Sequence, residues 1–228
     1  MNEPAFADPT PTGYTGAMPE SSGPGGRPIS LREEQVAQTR AALIAAGRGL
    51  FGRDGFAGTS VEDLAHEARV TTGALYHHFP TKAALFEAVF EAAHLELLAA
   101  SAGAAEGAPD EVEFLARGFE SFLDAVLQPD IQRIVIIDAP AVLGLARFTE
   151  LDEQYVFSAI VASLEAAVRS GRLSIEDPEM STRLLLGALT RGAMLIANSS
   201  EPVVTRHSVA AAMRALLDGF AVRTGGRP

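Results

Sequence analysis

Cysteine is absent from the 228 residues, which excludes disulfides and thiolate metal sites. Basic charge is scarce. Eighteen Lys and Arg stand against 29 Asp and Glu, for a net charge of −11, and lysine occurs once, at Lys82. Residues 1–30, 31–101 and 102–228 are each net acidic, so no segment has the basic surplus that favours electrostatic binding to DNA. Any such binding must rest on locally placed Arg, Lys, His, hydroxyls and backbone N–H groups. Long apolar runs are missing too. A bilayer span needs about 18 or more apolar residues, and the best stretch, 184–197, is broken by Thr190 and Arg191. The first 30 residues hold no apolar block after a basic start, so no secretory signal is expected and a cytoplasmic protein is the simplest expectation. No G-x-S-x-G, Walker loop, H-E-x-x-H or dinucleotide glycine fingerprint is found, and an enzyme is not expected. Of the five histidines, His77 and His78 are adjacent. They would point about 100° apart on a helix, unsuited to one metal. No metal and no cofactor is expected.

What is present is apolar and helical. Hydrophobic residues make up 47% of the chain, ample for a core, and the length allows one domain or two modest ones. The stretch from Thr59 to Lys82, TSVEDLAHEARVTTGALYHHFPTK, organises the rest. Thr59 can cap a helix, with Glu62 three residues later at capping-box spacing. Val61, Leu64, Ala65 and Ala68 then share one face. Thr71 can cap a second, short helix through Phe79, stopped at Pro80. Thr81 can cap a third. A helix, a tight turn and a short helix with polar and aromatic outer positions is the pattern of a helix-turn-helix DNA reader.

Residues 35–97 resemble the DNA-binding domain of the tetracycline-repressor (TetR) family. The family's wording is close to A-G-V-S-x-G-T-L-Y-x-H-F-x-[ST]-K. Residues 68–82, ARVTTGALYHHFPTK, agree in register at the glycine, aromatic and lysine positions. Two positions depart. Arg69 stands where glycine is usual, which requires a positive φ on a branched side chain or a differently built turn. Ala74 removes a hydroxyl. The resemblance implies an all-α fold of about nine helices: a three-helix DNA-binding domain, then a helical ligand-binding and dimerisation domain. By the same likeness Thr72, Gly73, Tyr76 and His77 face DNA and Lys82 meets a phosphate. Thr59, Ser60 and Thr71 lie at helix starts, which suit phosphate. His78 is placed inward. The implied partners are a double-stranded palindromic operator, a second copy of the chain and a small-molecule effector, with no membrane.

Residues 1–29 are rich in Pro and Gly and poor in large aliphatics. They are expected to be a disordered tail, either inert or offering Arg27 and Arg32 as a minor-groove arm. Residues 30–100 are expected to form the reader, with the helix-turn-helix at 60–79, and residues 101–228 the second domain. Ser30 and Glu33 form a capping box for the first helix, which should end near Gly55. The next long helix should run from Lys82 to about Ala100, followed by a linker, Ser101 to Pro109. Later helices are expected around Val112–Val126, Ile131–Asp138 ended by Pro140, Phe157–Val168, Pro178–Asn198 and Val209–Phe220.

The middle helices would enclose a pocket. Candidates for its lining are Phe114, Phe122, Ile137, Asp138, Phe148, Tyr155, Met180, Met194 and Asn198. Asp138 follows an apolar run near a helix C-terminus, where the dipole disfavours it, so a partner such as Arg191 or Arg147 is expected. The last two helices are dense in small and apolar residues that need cover, either within one domain or in a two-fold interface. Leu185, Leu189, Met213, Leu216 and Phe220 are the interface candidates. The expected function is a homodimeric repressor released from its operator by an apolar or aromatic molecule. The alternatives are a ligand-independent dimeric regulator and a helical enzyme carrying a chance helix-turn-helix.

Overall fold

The structure, a computed structural model, describes residues 30–222. The tail and its Arg27 fall outside them. Among the described residues the chain forms nine helices and one isolated antiparallel bridge, Leu173 to Ala221.

Helix α1, Leu31–Gly58, opens on the expected capping box: Ser30 Oγ accepts from the Glu33 N–H at 3.2 Å, and the Ser30 N–H donates to Glu33 Oε2 at 2.8 Å. At Gly55 it kinks rather than ends (φ 75°, ψ 169°) and runs one further turn. That extra turn changes the role of Thr59. Thr59 closes α1 and does not cap α2; it is buried, and its hydroxyl donates to Gly55 O at 2.8 Å. Ser60 caps α2, Val61–Glu67, by accepting from the Asp63 N–H at 3.0 Å. The turn after α2 does place Arg69 at φ 57°, held by bonds from Arg69 N to His66 O and from Val70 N to Ala65 O. Thr71 caps α3, Thr72–His78, as expected.

Helix α4, Lys82–Ala105, is longer than expected, so Ser101–Ala105 is helix rather than linker. Helix α5, Glu111–Ala125, is capped by Asp110. Helix α6 is continuous through three pieces: α at Pro129–Ile131, π at Gln132–Asp138 and α at Ala139–Leu143. Pro140 therefore does not stop it. In the π piece the Ala139 N–H bonds to Ile134 O, five residues back. A turn this wide relieves the clash between a proline ring and the carbonyl four residues earlier. Helix α7, Leu145–Arg169, starts well before Phe157. Helix α8, Pro178–Ala197, has proline in its first turn and an Asp177 cap. Helix α9 spans Pro202–Gly219; Pro202 opens it, and Phe220 lies just past its end.

Two packed regions share α4. Near α1–α3, Phe51, Phe56 and Phe86 meet with ring centroids 5.2–5.9 Å apart, beside buried Leu64, Leu75 and Phe79. Farther along, α4 packs on α5, α6 and α7. Helix α6 also lies directly against α1. Arg48 pairs with Asp130 at 2.9 Å. Asp138 accepts from the Phe56 N–H at 2.7 Å and from Arg133 Nε at 3.3 Å. Asp138 is thus not a pocket residue, and neither Arg191 nor Arg147 is its partner. Five residues separate Arg133 from Asp138, the spacing that a π turn brings into line. Arg147 instead pairs with Glu87 and Glu150.

Candidate nucleic-acid interface and effector cavity

The exposed side of α3 carries Thr72, Gly73, Tyr76 and His77, at spacings that keep them together on one surface. Tyr76 is 50% exposed although aromatic, and Leu75 between them is fully buried against the reader core. A Cβ added at Gly73 would meet only Thr71 Oγ1, at 3.8 Å. Nothing inside the protein requires glycine there, whereas close approach of a nucleic-acid backbone would. His78 is half-buried, its ring edge-on to His77 at 5.6 Å. Ser60 and Thr71 are accessible at helix starts, their oxygens already accepting from Asp63 and Ala74.

Two of the expected phosphate contacts are internal. Thr59 is buried and hydrogen-bonded, so its hydroxyl is not offered outward. The Lys82 ammonium turns back onto the end of α1. It donates to Phe56 O at 2.8 Å and Thr59 O at 2.9 Å, and sits 4.2 Å from the centre of the Phe56 ring. The chain's one lysine therefore fastens the start of α4 to the segment that leads into the reader.

A cavity of about 230 Å³ lies between α4, α5, α7 and α8, lined by Leu98, Ser101, Phe114, Phe119, Phe122, Tyr155, Val156, Ile160, Leu186 and Leu189. Phe114, Phe122 and Tyr155 are in it as expected. The other candidates are elsewhere. Phe148 is buried against Phe90 at 5.8 Å. Met180 is exposed at the start of α8. Ile137, Met194 and Asn198 border a separate, open depression with Arg191, and the Asn198 amide donates to Met194 O.

Of the interface candidates, Leu185, Leu189 and Met213 are buried within the protomer, and Leu189 lines the cavity. Phe220 is half-buried, its carbonyl accepting from the Ser174 N–H at 2.8 Å. Leu216 is exposed. The unexpected partners in exposure are Met180, Leu184 and Leu195 on α8, and Val203 and Val204 on α9.

His94 is not singled out by the sequence as a site residue. It continues the stripe Phe86–Phe90–His94 on α4, and a histidine in an apolar stripe was its only sequence signal. The side chain is buried and stacks on Phe90 at 5.4 Å. Its Nε2 lies 3.5 Å from Asp152 Oδ1. Burial pushes the imidazole down to about 4 and the Asp152 carboxyl up to about 6, so His94 is neutral at pH 7 and the two do not form an ion pair.

Comparison with known proteins agrees with this arrangement. Residues 43–89 match the family described as bacterial regulatory proteins, tetR family, and residues 112–220 match the tetracyclin repressor-like C-terminal domain. The transcriptional regulator UidR of Escherichia coli is 24% identical over 193 residues, 82% of this chain and 95% of its own. The fold of RolR, solved with resorcinol, covers 85% of this chain and 98% of that one, with a TM-score of 0.66 at 21% identity. A TetR-family transcriptional regulator from Pectobacterium atrosepticum superposes with a TM-score of 0.75 and 33% identity, covering 83% of this chain and 97% of that one. The second domain matches along with the reader, so the likeness is not that of a stray helix-turn-helix, and the chain belongs to the TetR family of DNA-binding transcriptional regulators.

Proposed function

We propose that the protein is a homodimeric repressor that leaves a palindromic operator when an apolar or aromatic molecule fills the cavity. The reader comprises residues 30–100 and the effector and dimerisation domain residues 101–228. Thr72, Gly73, Tyr76 and His77 meet the DNA, with Ser60 and Thr71 toward phosphate. The observation that carries the reading is the continuity of α4. Its first residue, Lys82, is bonded to the carbonyls ahead of the reader, while Leu98 and Ser101 on the same helix line the cavity. The sixteen helical steps from Lys82 to Leu98 span ~24 Å. A small tilt at the cavity end therefore displaces the reader and alters the spacing of two readers on one operator. RolR, of the same fold, holds the small aromatic resorcinol, which supports an aromatic occupant here.

Dimerisation supplies the second reader. The outward faces of α8 and α9 carry Leu184 and Leu216, 69% and 47% exposed, among small residues such as Gly187, Ala211, Ala212 and Ala215. Apolar faces with small side chains permit close helix–helix contact and need cover. Two-fold pairing places the reading helices about one DNA turn apart, ~34–36 Å, or a simple multiple.

The test is a footprint on the DNA upstream of the protein's own gene, repeated with a panel of apolar aromatic compounds. A protected palindrome that at least one cavity-binding compound releases is the expected result. Tenfold release corresponds to ~1.4 kcal/mol of coupling, and reciprocity requires DNA to weaken that compound equally. Tight cavity binders that never alter operator affinity would leave a ligand-independent dimeric regulator.

A further inference from the structure

The helix-turn-helix is itself acidic. From Ser60 to Thr81 its charged residues are the acids Glu62, Asp63 and Glu67 and a single cation, Arg69. Asp63 and Glu67 border a depression with Arg53 of α1. Arg69 is exposed and makes no ion pair among the described residues. Most other cations of residues 30–100 are engaged. Arg48 holds Asp130, Arg53 holds Asp54, Arg40 lies over the Phe79 ring, and Lys82 is bound to carbonyls. Arg32 stands in the first turn of α1. A free guanidinium in the turn between α2 and α3 is therefore the one cation that the helix-turn-helix can offer a polyanion.

Its backbone makes the choice of arginine costly. The Arg69 N–H bonds to His66 O at 3.0 Å and the Val70 N–H to Ala65 O at 2.9 Å. These are the two bonds of a Schellman motif, with Arg69 in the left-handed position that ordinarily goes to glycine. Its φ is 57°, a region disfavoured for any residue with a Cβ. The motif does not need the arginine side chain. Val70 packs on the core and Ala65 is buried, so the apolar contact that closes the turn is made without it. Glycine would form the same turn with less strain. Strain of this kind persists where a side chain has a use that the fold itself does not supply.

We propose that Arg69 binds a backbone phosphate beside the groove that α3 enters, as the principal cationic contact of the helix-turn-helix. The inference rests on α3 being the reading helix. Arg69 stands two residues before the Thr71 cap of α3, so its backbone lies within ~7 Å of that cap. It belongs to the turn and not to the outer surface formed by Thr72, Gly73, Tyr76 and His77. Base edges are read from the helix in the groove, while phosphates are held by groups around it. A guanidinium suits phosphate, which it grips through two parallel N–H bonds. In a protein of net charge −11, one such contact in each reader is a large share of the electrostatic attraction.

The experiment measures anisotropy of a labelled duplex selected from a random-sequence pool by the wild-type full chain, between 50 and 200 mM salt. Arg69→Gly should melt at a higher temperature than wild type, because the left-handed strain is relieved, and yet bind the duplex more weakly. Each lost phosphate contact removes about 0.9 from the slope of log K against log salt, so a dimer should lose about 1.8. The wild-type advantage should then grow about twelvefold from 200 to 50 mM salt. Arg69→Asn, which also tolerates the left-handed region, should repeat the slope change, and Arg69→Lys should keep the wild-type slope. The loss should be equal on duplexes carrying single base changes. A wild-type slope in both Arg69→Gly and Arg69→Asn overturns the contact, as does a loss confined to one base position. A lower melting temperature in Arg69→Gly also overturns it, since the arginine would then serve the fold. Tyr76→Ala separates the two levels. If it weakens binding while Arg69→Gly does not, α3 remains the reading helix and only the Arg69 contact falls; if neither weakens binding, both fall.

Discussion

Single side chains divide here into those that face outward from α3, which we propose read DNA, and those that hold the reader in place. Thr72, Tyr76 and His77 touch little of the protein, so removing them should spare the fold. Tyr76→Ala should weaken operator binding with unchanged melting temperature, and Thr72→Ala or His77→Ala should also relax base preference by ~1–3 kcal/mol at one position. Fluorescence anisotropy on operators with single base changes is the measurement; wild-type affinity for all three variants would remove α3 from the interface. Lys82 belongs to the other group. Lys82→Met deletes two charge-assisted bonds and leaves the Phe56 and Thr59 carbonyls unpaired. It should cost about 1.5–3 kcal/mol in urea unfolding and weaken DNA binding indirectly; an unchanged unfolding midpoint would show that the ammonium serves DNA instead. The His94–Asp152 pair gives a pH signature. Burial raises Asp152 from 3.8 to about 6, so its contribution is present below pH 3.8 and lost as pH rises through 6. Burial lowers His94 from 6.5 to about 4, so its contribution is present above pH 6.5 and lost as pH falls through 4. The two oppose between pH 4 and 6. Relative to wild type, His94→Phe should lose stability as pH rises from 4 to 6, and Asp152→Asn should lose it as pH falls from 6.5 to 4, each by on the order of 2 kcal/mol. Urea midpoints at pH 4.5, 5.5 and 6.5 decide it, and parallel curves for all three proteins would refute the assignment.

At the scale of elements, the π piece of α6 and the kink of α1 are one joint. Gly55 has a φ of 75°, which demands glycine, and a Cβ there would displace the Arg133 guanidinium from its place at the kink. The peptide released by the kink, Phe56 N–H, is taken up by Asp138, and Arg133 completes that carboxylate. The last two helices present a different problem, since both of their faces are apolar. Gly192 lets Val209 of α9 press close to α8 on the inner side. Leu184 and Leu216 are exposed on the outer side. Leu184→Glu and Leu216→Glu should therefore leave the protomer folded and yield monomers by light scattering. Undiminished dimers in both variants would move the interface to another face.

Over the whole molecule, the charge of −11 makes this an unusual reader of a polyanion. Several cations near the reader are already engaged: Arg53 pairs with Asp54, Arg40 lies over the Phe79 ring, and Lys82 is bound to carbonyls. Few remain to displace counterions from phosphate. If two or three per protomer do so, the slope of log K against log salt should be about −4 to −5 for a dimer. Anisotropy titrations between 50 and 200 mM salt give the slope, and a value near −10 would mean that further basic contacts exist. Repulsion from the acidic remainder should keep non-specific binding weak.

The helix-turn-helix was legible because its signals are local: a cap at Thr71, a capping box at Ser30 for the helix that leads into it, and a glycine, aromatic and lysine register over residues 68–82. These depend on neighbours within a turn or two, and the chain alone specifies them. Which residues face outward on α3 was implied by the likeness to the TetR family over residues 68–82, and the exposure of Thr72, Gly73, Tyr76 and His77 agrees with it. The sequence did not say which way Lys82 turns, that Thr59 closes α1, or that Asp138 bonds to a backbone N–H 82 residues away, because each depends on how helices distant in sequence pack. Nor could it choose the inner face of α8, where LLLGALTRGAMLIA puts apolar residues on every side and periodicity selects none. His94 read as one histidine among five. Only the packing of α4 on α7 buried its nitrogens beside Asp152, and a buried polar group acquires meaning from what surrounds it in space.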